Sequence, residues 1–115
     1  YENTGGTDLK AFNKGKVVRI VTLKDIVRRF KINKGILKID CEGCEYSIVL
    51  NAKKETLKKF DQIMIEYHYG YKNLVKKLKE AGFHVKITVP KFSFNPDAEN
   101  HNMIVGWVYA KRKQK

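Results

Sequence analysis

The feature that most limits what this chain can fold into is the alternation of short apolar, β-branched runs with stretches of helical period. Residues 17–21 contain Val17, Val18, Ile20 and Val21 and read as a strand. Thr22 and Asp25 then stand three apart, the spacing of a capping box. Leu23, Ile26, Val27 and Phe30 follow at i, i+3, i+4 and i+7, one face of a helix that Asn33, Lys34 and Gly35 end. Ile36, Leu37 and Ile39, closed by Asp40, form an apolar run of the kind that an inner strand of a parallel sheet carries. After a Glu42-Gly43 turn, Ile48, Val49, Leu50, Leu57 and Phe60 predict one helix over about residues 44–59, with Glu45 in the first turn, where the helix dipole favours an acid. Residues 62–68 are a third apolar run. Tyr71, Leu74, Val75, Leu78 and Ala81 mark a further helix that Gly82 stops. Residues 83–89 alternate strictly between apolar and polar, as a half-exposed strand near a sheet edge does. Residues 90–102 read as a polar loop and residues 103–110 as the last strand.

The order β-α-β-α-β-α-β-β predicts an α/β layered sheet, mostly parallel. No helix separates the final two strands, so their connection is most simply a long hairpin and the last strand runs antiparallel to its neighbour. In open sheets of this class, ligands sit beyond the carboxyl ends of the parallel strands. Asp40 and His68 stand at such ends, and an antiparallel last strand brings Asn100, His101 and Asn102 to the same edge.

A length of 115 residues holds one core, and 43% hydrophobic with 31% charged residues is the composition of a globular domain. The organisation expected is an N-terminal loop over 1–16, one α/β domain over 17–111 and a basic tail over 112–115. The net charge of +12 favours anionic partners. Arg occurs only at positions 19, 28, 29 and 112, however, and the lysines alternate with apolar positions on helix faces, which suits a solvated surface better than base readout. No apolar run has the length of a membrane span and no secretory signal layout opens the chain. Two cysteines, Cys41 and Cys44, make no disulfide framework. They are read as buried packing thiols, and a cytoplasmic location is expected.

The nonapeptide Leu37-Lys38-Ile39-Asp40-Cys41-Glu42-Gly43-Cys44-Glu45 resembles the L-K-I-D-x-E-G-x-E signature of FkbM-type methyltransferases, which depend on S-adenosylmethionine. Val21-Thr22-Leu23-Lys24-Asp25-Ile26, Ile65-Glu66-Tyr67-His68 and the closing strand from Asn102 to Ala110 are similar to further segments of that family, so the resemblance covers roughly residues 17–111. It implies a Rossmann-like methyltransferase sheet with an antiparallel last strand, S-adenosylmethionine as cofactor, and methylation of an oxygen, a sugar or small-molecule hydroxyl. The strand and Gly-rich turn that hold the cofactor in such enzymes are not visible. Thr4-Gly5-Gly6-Thr7 has no apolar strand before it and reads as an ordinary turn. The chain is therefore read as the C-terminal part of the fold, truncated on its N-terminal side, and no residue is assigned to the cofactor. Two readings of other classes stand beside this one: a non-catalytic basic module binding nucleic acid or another anion, and a remnant that forms a homodimer through an unpaired strand edge.

Asp40 and His68 are the expected catalytic residues: a carboxylate and an imidazole at strand ends suit proton removal and alignment of a hydroxyl. Glu42, Glu66, His101 and Asn102 are expected to bind substrate. Glu66 lies inside an apolar strand, where its charge needs a partner. The Cys41-x-x-Cys44 spacing has no second pair to complete a tetrahedral zinc site, and no metal set is assigned.

Overall fold

The computed structural model describes residues 17–97 and 102–113. The strand expected over residues 17–21 does not form. Val17 and Val18 are exposed, and among the described residues no strand lies beside them. A β-branched run needs a ladder partner, which propensity alone does not replace. Helix α1 (Leu23–Arg29) opens as expected: the Asp25 N–H donates to Thr22 Oγ1 at 3.1 Å and the Thr22 N–H donates to Asp25 Oδ2 at 3.0 Å. The Thr22 backbone N–H, helped by its hydroxyl, holds the Asp25 carboxyl below its ordinary pKa.

Strands β1 (Gly35–Ile39) and β2 (Phe60–Tyr67) pair in parallel, Ile39 beside Ile65. Between them the single helix expected over 44–59 is two, α2 (Cys44–Asn51) and α3 (Lys54–Leu57). Ala52 and Lys53 are extended, and the break falls where large apolar residues lapse between Leu50 and Leu57. Helix α4 (Lys72–Glu80) ends at Gly82, whose φ of 95° is left-handed. Strand β3 (Phe83–Ile87) follows. Part of the expected polar loop is a short strand, β4 (Lys91–Phe94), paired with the first half of the last strand, β5 (Asn102–Arg112). Proline on both sides and four exposed residues hid it from the periodicity.

The sheet order is β1-β2-β5-β3, with β5 antiparallel to β2, β3 and β4. The antiparallel last strand is as expected; the mostly parallel sheet is not. By inserting between β2 and β3, β5 replaces one parallel contact with two antiparallel ones, and the sheet is mixed. β1 forms an edge among the described residues, so Ile36 remains 65% exposed where an inner strand would bury it.

One face of the sheet carries the core. Ile63, Ile65, Tyr67, Phe83, Val108 and Ala110 pack with Val49, Leu57, Leu74 and Leu78 of the helices, all at or near zero exposure. Alternate residues Lys38, Met64, Glu66, Trp107 and Tyr109 belong to the other face, where Trp107 stacks on Tyr109 and Lys38 Nζ lies 5.7 Å from the indole. Gly106 stands opposite Tyr67 in the β2–β5 ladder. A Cβ there would overlap the Tyr67 phenol, so the close approach of ring to backbone requires glycine. Among the described residues no helix is long and apolar enough to cross a membrane.

Candidate active site at the strand ends

The turn leaving β1 sets the site. Glu42 (φ 53°) and Gly43 (φ 121°) are consecutive left-handed residues, which fold the chain back sharply into α2. The same turn brings Cys41 and Cys44 to a Cα separation of 5.4 Å, where their sulfurs are bonded. Packing thiols were expected; the C-x-x-C spacing across a turn this tight closes a disulfide instead, and the cysteines give no support to a reducing compartment.

Glu45 is fully buried and ties three pieces of chain together. Its Oε1 accepts the Gly43 N–H at 2.8 Å; its Oε2 accepts the His68 backbone N–H at 3.0 Å and lies 2.9 Å from His68 Nδ1. With a carboxylate on that side, Nδ1 is the donor of this contact. Tyr46 makes a second tie: its hydroxyl donates to the Gly70 carbonyl at 2.6 Å and accepts the Tyr69 N–H at 2.7 Å. Burial pushes the Tyr46 phenol up to about 12.

Parallel register places Asp40, next after Ile39, alongside Glu66. His68, two residues on, is 4% exposed and directs Nε2 to within 3.1 Å of Glu66 Oε1. One ligand-capable atom from each of Asp40, Glu66 and His68 lies within 4.8 Å of the others. Asp40 is exposed and Glu66 is about a quarter exposed, so the cluster opens outward while His68 forms its floor. Glu66 thus finds its neighbour in His68. Among the described residues no Lys or Arg forms an ion pair with Asp40, Glu45 or Glu66, although the chain is strongly basic.

Of the residues expected at the site, Asp40, Glu66 and His68 come together. Glu42 is exposed on the turn and lies outside this group. Asn102 begins β5, two residues before Ile104, whose N–H donates to the His68 carbonyl at 2.9 Å, so it belongs to the same end of the sheet. His101 lies outside the described residues. Glu45 and Tyr46 were not expected to matter. The signal was present for Glu45, the last acid of the nonapeptide, but a first-turn acid has an ordinary explanation in the dipole. An apolar cavity of about 320 Å³ lies elsewhere, between residues 20–24 and the α2–α3 junction, lined in part by Ile20, Leu23, Ile48 and Ala52 and by none of the cluster.

A family model described as the methyltransferase FkbM domain matches residues 3–85. The chain belongs to the FkbM methyltransferase family. The matched span contains the nonapeptide turn, Glu45 and the Glu66–His68 strand end, and stops within β3. It also takes in residues 3–16, read from sequence only as loop. No curated protein and no solved structure gives a significant match.

Proposed function

We propose that the Asp40–Glu66–His68 cluster receives the methyl acceptor of an S-adenosylmethionine-dependent O-methyltransferase, and that the acceptor is a hydroxyl of a sugar or another small molecule. Membership of the FkbM family supports methyl transfer. The observation that carries the acceptor's place is the convergence of two carboxylates and an imidazole at adjacent parallel strand ends. The reversed β5 between β2 and β3 is consistent with the second half of a Rossmann-like methyltransferase sheet.

The bound cofactor would supply an electrophilic methyl group. Among the described residues no Gly-rich turn follows a strand and no acid ends a strand before β1, so they do not make a cofactor cradle and none is assigned to it. Their work is toward the acceptor. Asp40, exposed at the rim, accepts a hydrogen bond from the acceptor hydroxyl, fixes the direction of its oxygen lone pair and takes the proton that this oxygen loses as the methyl group arrives. Positioning of this kind supplies much of the acceleration of a bimolecular transfer. Glu66 accepts a hydrogen bond from a neighbouring hydroxyl of the same acceptor, and Glu45 immobilises His68 beneath both.

Calorimetric titration of the full gene product with S-adenosylmethionine, followed by transfer of labelled methyl to a panel of polyols and sugars, tests the proposal. Saturable binding and label in a hydroxylated acceptor are expected. Absence of cofactor binding refutes it.

A further inference from the structure

Among the described residues the strand-end cluster has no Lys or Arg partner. Glu45 Oε2 lies 2.9 Å from Nδ1 of His68, so that nitrogen donates, and the buried Nε2 faces the cluster. Nε2 stands 3.1 Å from Glu66 Oε1. A cation shared by the two atoms, a proton or a metal ion, is what this distance requires. Asp40 adds a further carboxylate within 4.8 Å, and among the described residues no Lys or Arg pairs with any of the three acids.

We propose that Asp40, Glu66 and His68 bind a divalent first-row transition-metal ion, with Glu45 locking the imidazole in its metal-binding tautomer. Two ligands about 2.1 Å from an ion and at right angles to each other stand about 3.0 Å apart, and an opposed pair about 4.2 Å. The observed 3.1 Å matches the right-angled pair; the 4.8 Å envelope exceeds the opposed pair by about 0.6 Å, so the exposed Asp40 carboxylate would turn inward to complete the set. Imidazole with two carboxylates suits Mn²⁺ through Zn²⁺ better than Mg²⁺ or Ca²⁺, which prefer oxygen alone. A metal-bound histidine that donates its other N–H to a carboxylate is the common supporting arrangement, and Glu45 supplies it here. Three protein ligands leave positions for water or an acceptor oxygen. A carboxylate is a weak base toward an aliphatic hydroxyl at neutral pH, whereas an ion that takes that oxygen as a ligand releases its proton to solvent more readily, as it does for bound water. This last role rests on the methyl-transfer proposal; the ion site does not.

The test is titration of the full gene product, with Cys41 and Cys44 kept oxidised, using Mn²⁺ by electron paramagnetic resonance and Zn²⁺ by calorimetry. One ion per chain is expected. Asp40→Asn and Glu66→Gln should each weaken binding by about tenfold or more and Glu45→Gln by about 10–100-fold, with circular dichroism confirming that the variants fold. No saturable binding at millimolar ion overturns the site, as does binding that survives both Asp40→Asn and Glu66→Gln. Ring-nitrogen NMR showing both His68 nitrogens protonated in the presence of the ion also overturns it. Methyl transfer separates the two proposals: a protein that binds the ion but transfers no methyl keeps the site and refutes the transfer, and one that binds the ion yet transfers methyl equally well without it keeps the site and refutes only the ion's part in the reaction.

Discussion

Replacing Glu45 by alanine removes the acceptor of three N–H groups at once: Gly43 N, His68 N and His68 Nδ1, at 2.8, 3.0 and 2.9 Å. A buried donor left unpaired costs about 1–3 kcal/mol. Both His68 groups are buried, whereas water can reach Gly43, so two unpaired buried donors set the expected loss at about 2–6 kcal/mol. Domains of ordinary stability have only about 5–15 kcal/mol in total. Urea unfolding followed by fluorescence of Trp107, the single tryptophan, measures it. With a slope of about 2 kcal/mol per molar, the midpoint should fall by about 2 M. Glu45→Gln keeps one acceptor oxygen but turns an amide N–H₂ toward a donor on its other side, and should lose roughly half as much. A Glu45→Ala unfolding free energy within about 0.5 kcal/mol of the parent, the size of a surface substitution, would show that Glu45 does not hold the turn and His68 together.

Other expectations follow from the packing and the titrating groups. Gly106→Ala should cost about 1–3 kcal/mol in chemical unfolding, since its Cβ meets the Tyr67 ring, and the loss should shrink when Tyr67 is cut back to Leu in the same chain. The fold retains the Tyr46 proton above the ordinary phenol value of 10.0, so the stability it contributes is present below pH 10.0 and is lost as pH climbs through about 12. Unfolding across that window should show a falling slope that Tyr46→Phe flattens, and an unchanged slope would contradict it. Cys41 and Cys44 should resist alkylation until reduced, and reduction should cost no more than about 2 kcal/mol because the loop they close is so short.

Much of the fold was legible because its signals are local. The Thr22–Asp25 box, the apolar runs at residues 36–39 and 62–67, and Gly82 after the last helix each depend on a few neighbours in sequence. What was not legible depends on distant partners. Residues 17–21 have strand chemistry but no ladder among the described residues, and 91–94 form a strand only because β5 lies beside them. The insertion of β5 between β2 and β3 leaves no trace in periodicity. In the site, Asp40 and His68 were legible as strand-end residues, and Glu66 as an acid in need of a partner. Glu45 was not, because its importance comes from accepting two N–H groups of a residue 23 positions away.

Transfer of labelled methyl from S-adenosylmethionine to hydroxylated acceptors, compared between the full gene product and its Asp40→Asn form, bears most directly on the strand-end site. Asp40 is exposed, so the substitution should leave the unfolding midpoint in place while the transfer rate falls about 100-fold or more. Equal rates in the two proteins would contradict the site.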